Sequence, residues 1–340
     1  TKVTWTVDIN QAMNELSNPN VDESWPAGVS YSSVKVYRLV MNLDGTVSRV
    51  GEELSAPGDY TVDANGNVTI LGETSDAYRL EYVTTIDEDA IPEEGGPVTF
   101  KNHADLSDGK DPTKIPAEAT VTSTYGKMLE KKRTGYDAAN QEFSWSINYN
   151  YGEKQVSQSD AVITDTMSDN MDLVDGSFVI YPITFTADGK EQKGSPLNNP
   201  GDYTLVPNPA GSGFIVQFTE DIDGAYKIEY KTKVNGIVTE DTAVDNKVQA
   251  NTGQESGGNG NADQQNVIKS LTNVDYGNSV ADYTIKVNQN HYEMNNLTVN
   301  DVFDPVPGMQ LANNPGDDSG HQLTIVSSSG KTLVEGPTTF

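Results

Sequence analysis

The sequence predicts an all-β protein built from small two-sheet sandwiches in tandem. Thr, Val and Tyr are frequent, and Gly and Pro recur between them, as strands separated by tight turns require. Apolar residues alternate with polar ones at period two, and no stretch sustains a helical period. Several six-residue segments also recur about 140 residues apart, which marks a repeated module.

The elements follow in order along the chain. Trp5-Thr6-Val7-Asp8-Ile9-Asn10 reads as a half-buried strand, and it resembles Trp145-Ser146-Ile147-Asn148-Tyr149-Asn150 and, more loosely, Tyr283-Thr284-Ile285-Lys286-Val287-Asn288. Hairpin signals stand at Leu43-Asp44-Gly45, Asn65-Gly66-Asn67 and Ala187-Asp188-Gly189. Pro57-Gly58-Asp59-Tyr60-Thr61-Val62 returns as Pro200-Gly201-Asp202-Tyr203-Thr204-Leu205. Ala77-Tyr78-Arg79-Leu80-Glu81-Tyr82 returns as Ala225-Tyr226-Lys227-Ile228-Glu229-Tyr230, with Tyr226, Ile228 and Tyr230 on one face. The polar, turn-rich run from Asp105 to Pro112 predicts a linker over 105–119, and the glycine-rich run from Gln254 to Asn261 predicts a second over 253–264. These boundaries give a repeat over 1–104 that lacks its first strand, a complete repeat over 120–252, and a C-terminally truncated one over 265–340. The expected architecture is therefore a series of immunoglobulin-like β-sandwich domains cut from a longer array.

Composition narrows the partners. The chain has 22 Lys and Arg against 50 Asp and Glu, a net charge of -28. Such a surface repels nucleic acid and anionic lipid and keeps a secreted protein soluble; a basic partner or divalent ions at the surface is the lesser reading. There is no cysteine, so disulfides are unavailable as staples. No apolar run approaches the roughly 18 residues that would span a bilayer, so membrane insertion is not expected. Neither end carries a recognisable address, and the simplest expectation is an internal fragment.

The central repeat begins Leu129-Glu130-Lys131-Lys132-Arg133-Thr134-Gly135-Tyr136-Asp137 and continues with Trp145-Ser146-Ile147-Asn148 and Val162-Ile163-Thr164-Asp165-Thr166. Later come Ala225-Tyr226-Lys227-Ile228-Glu229-Tyr230 and Val244-Asp245-Asn246-Lys247. In order and spacing these resemble the collagen-binding adhesin domains of Gram-positive, cell-wall-anchored surface proteins. The resemblance implies an intramolecular isopeptide bond in which Lys131 joins Asn246 with help from Asp165 as the catalytic acid. Lys132 is the alternative donor, since one residue of slip turns a side chain to the other face. The third repeat offers Lys269 and Asp301, with Lys269 to Tyr283 spanning the same 14 residues as Lys131 to Trp145. In the first repeat Asn102 is the matching acceptor and Asp22 the candidate acid. Both flanking repeats are expected to lack a crosslink partner: the first repeat's Lys falls before Thr1, and the third's Asn falls at roughly position 382.

Such a bond has definite requirements. An ordinary lysine, with a pKa of about 10.4, is a charged ammonium and no nucleophile. Burial among aromatic rings releases the neutral amine and keeps a nearby carboxyl protonated, so the acid can polarise the Asn carbonyl while the amine attacks and ammonia leaves. The competing reading of the same residues is a salt bridge at the sheet rim and an Asn capping a turn.

Other chemistry is thinly represented. His103, His291 and His321 lack metal-ligand spacing, and no nucleophile elbow or phosphate loop is present, so neither a cofactor nor a metal is expected. Asp63-Ala64-Asn65-Gly66-Asn67 reads as a hairpin turn in preference to a calcium loop. The resemblance implies an extracellular, cell-wall-anchored location with the anchor outside this stretch, and a host matrix protein such as collagen as partner. The alternative is a structural stalk whose repeats contact only their neighbours and project a distal head. Enzymatic activity is not expected beyond the self-directed crosslink.

Overall fold

The computed structural model describes residues 2–186, 188–302, 313–314, 317–334 and 337–338. The chain forms two compact units. The larger unit contains two immunoglobulin-like sandwiches, each of two antiparallel sheets, and the chain among the described residues is almost wholly β.

In the first sandwich, one sheet runs in the order Lys2–Ile9, Ala77–Ile86, Val29–Met41, Val47–Glu53. The other runs Asp111–Tyr125, Gly96–Asp108, Asn20–Ser24, Val68–Ile70, Tyr60–Val62. The central sandwich repeats this plan. Its first sheet orders Leu129–Asp137, Glu142–Tyr149, Ala225–Val234, Val179–Phe185 and Glu191–Lys193, with Met171–Leu173 also on Ala225–Val234. Its second orders Tyr203–Pro207, Gly213–Phe218, Val162–Met167, Thr242–Ala250 and Glu255–Ala262.

Register makes the equivalence explicit. Trp5 pairs with Tyr82, Val7 with Leu80 and Ile9 with Tyr78, as Trp145 pairs with Tyr230, Ile147 with Ile228 and Tyr149 with Tyr226. These inward residues line the two cores, with Val7 and Tyr226 half-buried and the others buried, because alternate positions of a strand share a face. The plans differ at one edge. In the central sandwich Leu129–Asp137 lies outside Glu142–Tyr149; among the described residues no strand pairs with the outer edge of Lys2–Ile9.

Both predicted linkers are strands instead. Residues 105–119 lie in the long hairpin of Gly96–Asp108 and Asp111–Tyr125, and Glu255–Ala262 closes the central second sheet. The first mistake arises because a wet edge strand tolerates the polar composition of a loop. The second has a steric cause. A Cβ at Gly258 would lie 2.9 Å from the Trp145 ring, and one at Gly260 would lie 2.7 Å from the Phe143 ring. Those glycines let the strand close over aromatic rings, so they serve packing and not flexibility. Where the two sandwiches meet, a Cβ at Gly126 would lie 2.5 Å from Tyr151, and the Met128 amide donates to the Glu93 carbonyl at 2.9 Å.

The smaller unit comprises residues 137–141, 237–242 and 262–340. Its best-formed element is the hairpin of Val267–Asp275 with Val280–Val287. Buried Asn290 ties it together, donating to the Ala138 carbonyl at 2.9 Å and accepting from the Gln265 amide at 2.7 Å. Asn266 donates to the Val238 carbonyl at 2.6 Å. No helix among the described residues is long and apolar enough to cross a membrane. Of the predicted turns, Asp63 accepts from the amides of Asn65 and Asn67 at 2.9 Å, which is a hairpin turn, while Ala187 lies outside the described residues.

Candidate crosslink site

Three strands bring the central triad together. The opening strand turns Lys131 inward, and its backbone is pinned by the Lys131 amide donating to Ser256 Oγ at 2.8 Å. Val162–Met167 and Thr242–Ala250 are neighbours, with Asp165 opposite Val248 and Met167 opposite Asn246. Asn246 and Val248 share one face at period two, so Asn246 faces the interior beside Asp165.

Lys131 Nζ lies 2.5 Å from Asp165 Oδ2 and donates also to Asn246 Oδ1. Tyr230 completes the ring: its hydroxyl donates to Asp165 Oδ2 at 2.7 Å and accepts from Asn246 Nδ2 at 2.9 Å. Trp145 and Tyr230 each place a ring 5.5 Å from the Lys131 nitrogen, and the Trp145 indole is fixed by donating to Thr232 Oγ1 at 2.8 Å. Asp165 and Asn246 are 0% exposed and Lys131 3%, which removes the rim salt-bridge reading.

Burial governs the charge state. It pushes the Lys131 amine down to about 8, against the pull of the Asp165 carboxylate. It pushes the Asp165 carboxyl up, against Lys131 and the Tyr230 hydrogen bond. It also drives the Tyr230 phenol well above its usual range, so that hydroxyl stays a donor. A dry interior disfavours both charges, and a neutral amine facing a neutral acid is the form burial promotes. Asp165 Oδ1 makes no hydrogen bond, a deficit that a protonated acid bears more easily than a carboxylate.

Lys132, the alternative donor, points to solvent and pairs with Glu130 at 2.9 Å. The alternation of the strand decides between the two lysines. In the smaller unit Lys269 lies 2.6 Å from Asp301 and 4.8 Å from the Tyr283 ring, so the predicted Lys–Asp couple is brought together, each side chain about a third exposed. Asn102 of the first sandwich is buried as expected. Asp22 is not the acid beside it. Asp22 pairs with Asp105 across the sheet and reaches outward to Lys114 at 3.0 Å. The buried carboxyl is Glu23, opposite Ala104 and accepting from Asn102 Nδ2 at 2.9 Å. Alternation from the inward Val21 could have located it, since Val21 and Glu23 share a face. Tyr230 and Thr232 were also overlooked as site residues, although Tyr230 stood in a repeated segment.

The histidines are surface features where described. His103 lies 3.1 Å from Asp105 and 3.6 Å from Glu118, so it is not isolated, and His291 is exposed. No cluster of three or more potential metal ligands occurs among the described residues.

Comparison with known proteins now bears on this geometry. The collagen binding domain family matches residues 1–114 and 127–266, most of the chain. The chain belongs to the collagen binding domain family. Both matched segments carry the buried Asn and its acid, and the second ends just past the glycine-rich strand. Several solved structures are similar to this family member. The C-terminal domain of the Streptococcus agalactiae AgI/II polypeptide BspA is 10% identical, with 77% of this chain and 92% of that one covered and a TM-score of 0.31. The collagen-binding domain from a Staphylococcus aureus adhesin is 14% identical, with 39% and 95% covered and a TM-score of 0.27. The collagen-binding subdomain of the Enterococcus faecalis surface protein ACE is 14% identical, with 39% and 91% covered and a TM-score of 0.26. No curated protein matches the chain. The matched family is thus one of binding domains.

Proposed function

We propose that this chain is part of a bacterial surface adhesin, extracellular and cell-wall-anchored, whose central sandwich locks itself with a Lys131–Asn246 isopeptide bond and whose target is a host matrix protein such as collagen. The observation that carries the crosslink is the buried contact of Lys131 with both Asp165 and Asn246. In the reaction the neutral Lys131 amine attacks Asn246 Cγ while protonated Asp165 polarises the amide oxygen. The Cγ–Nδ2 bond then breaks, the carboxyl relays a proton from the amine to the departing nitrogen, and ammonia leaves. Folding supplies the proximity, so the reaction occurs once and the domain is its own substrate.

The matrix-protein target rests on family membership. A second reading, a load-bearing stalk, is favoured by the close junction at Gly126 and by a crosslink that would tie the opening strand of the central sandwich to its last but one. Intact mass tests the crosslink: the chain is expected to weigh ~17 Da less than its sequence, and Lys131→Ala to restore the full mass. An unshifted parent mass rejects it. Saturable binding to immobilised collagen supports adhesion; a chain that closes but does not bind supports the stalk.

A further inference from the structure

An asparagine followed by glycine can be attacked by the backbone nitrogen of its neighbour, because glycine presents that nitrogen with no side chain in the way. The chain holds three such pairs, Asn65-Gly66, Asn235-Gly236 and Asn259-Gly260. The fold treats them differently. At the first, the turn is fastened on every side: the Asn65 amide donates to Asp63 Oδ1 at 2.9 Å, its carbonyl accepts from the Trp25 indole at 2.7 Å, and the Gly66 amide donates to the Asp63 carbonyl at 3.1 Å. The Tyr31 ring also lies 2.9 Å from where a Gly66 Cβ would stand. Asn259 sits inside the strand Glu255–Ala262, where Gly260 is pressed against the Phe143 ring.

Asn235 stands apart. It follows the last residue of Ala225–Val234, and its amide is anchored by donating to the Asn170 carbonyl at 2.7 Å. From there on the chain is open: Asn235 and Gly236 are exposed, Gly236 has a left-handed φ of 72°, and no atom lies within 4 Å of where its Cβ would stand. Among the described residues no hydrogen bond engages the Asn235 side chain or the Gly236 amide. We infer that Asn235 is a self-modification site, at which the Gly236 nitrogen closes on the side-chain amide and water converts the asparagine to aspartate or isoaspartate, while the fold holds Asn65 and Asn259 inert. A pinned glycine nitrogen reaches its neighbour's side chain only after local opening, whereas the Gly236 nitrogen is free to do so in the folded protein.

The step balances with water alone. The Gly236 nitrogen gives its proton to solvent and forms a bond to Asn235 Cγ, the Cγ–Nδ2 bond breaks, and Nδ2 takes a proton from water and leaves as ammonia. The resulting succinimide ring is opened by a second water, at Cγ to give isoaspartate's counterpart, aspartate, or at the main-chain carbon to give isoaspartate. Either product adds a negative charge. Isoaspartate also adds one carbon to the main chain between Val234 and Ile237, the stretch where the chain leaves the larger unit and enters the smaller.

Peptide mapping of the whole chain, incubated folded at neutral to mildly alkaline pH, tests the inference. Asn235 is expected to gain ~1 Da at least about tenfold faster than Asn65 or Asn259, and an endoprotease that cuts before aspartate but not isoaspartate separates the products. The rate is expected to rise about tenfold per pH unit, because the attacking nitrogen must first lose its proton. Gly236→Ala is expected to slow the change about tenfold or more, and Asn235→Gln, whose longer side chain closes a ring less readily, to abolish it at this position. In urea that unfolds the chain the three pairs are expected to react within about threefold of one another. An Asn235 that stays unchanged in the folded chain, or changes no faster than the other two, overturns the inference. So does a lead of Asn235 that persists undiminished in urea, since the sequence neighbours and not the fold would then set the order. None of these readouts depends on closure of the Lys131–Asn246 bond.

Discussion

In the central sandwich the buried acid is Asp165 and it faces a lysine; in the first sandwich Glu23 holds the equivalent register and is paired with Asn102. The surrounding scaffold hardly changes. Both sandwiches place a tryptophan on the edge-side strand, bond its indole to a threonine, and set a tyrosine across from it. What differs is the fate of the polar atoms. Each acid keeps one oxygen without a hydrogen bond, but in the central site Lys131 and Tyr230 link acid and amide into a ring, whereas in the first site the amide oxygen of Asn102 is also left without one.

Breaking the central ring is expected to have the largest effect. With the proposed bond formed, Lys131→Ala, or Asn246→Ala, removes a tie between residues 115 apart in sequence. By loop-closure entropy the tie is worth roughly 4–5 kcal/mol. For a domain of this size that amounts to a fall in Tm on the order of 10–20 °C, measured by calorimetry alongside intact mass. Asn102→Ala, at the matching position of the first sandwich, removes no tie and is expected to lower Tm far less. Equal losses from the two variants would erase the distinction between the sites.

The two acids also predict different responses to pH. The Glu23 carboxyl is raised from its ordinary 4.5 to about 7, chiefly by burial. Over that window the folded state keeps a proton that the unfolded chain has lost, so stability of the first sandwich falls as pH rises from 4.5 through 7. The fall is on the order of 2–3 kcal/mol when integrated over the shift. Thermal unfolding followed by Trp5 and Trp25 fluorescence at several pH values tests this, and Glu23→Gln is expected to flatten the slope. A parent protein whose first transition is indifferent to pH over this range would show Glu23 to be ionised and satisfied.

Much of this was legible before any coordinates. Period-two alternation and the 140-residue repeat dictated strands, sandwiches and the inward faces of Trp145 and Tyr230, because burial on one side of a sheet leaves a strong pattern. Lys131, Asp165 and Asn246 followed from the resemblance of the motif order to the collagen-binding adhesin domains. Two kinds of information were hidden. The linkers were read from composition, but Gly258 and Gly260 are small because rings lie against them, a fact that exists only after the sheets close. The family pattern points to Asp22 because it is an Asp, whereas one residue of register decides which carboxyl is dry, and that one is Glu23.

A glycine pair sharpens the packing side of the comparison. Gly260→Ala places a methyl against Phe143 beneath the central site, and overpacking of this kind costs about 1–3 kcal/mol. Gly224→Ala, with nothing within 4 Å of the added carbon, is expected to stay within about 0.5 kcal/mol. Chemical denaturation distinguishes them, and equal values would mean that the glycine-rich strand does not press on the core.

The smallest expected effect falls on the neighbour of the buried acid. Asp22 is partly exposed, and its contact with Lys114 is a surface ion pair, worth about 0–1 kcal/mol and weakened by salt. Asp22→Asn should therefore barely move the first transition and should leave its pH slope intact, because Glu23 still titrates on the other face. The two adjacent carboxyls thus form an internal control. If Asp22→Asn abolished the pH slope while Glu23→Gln spared it, the strand would be seated one residue out of the register on which the Asn102 site depends.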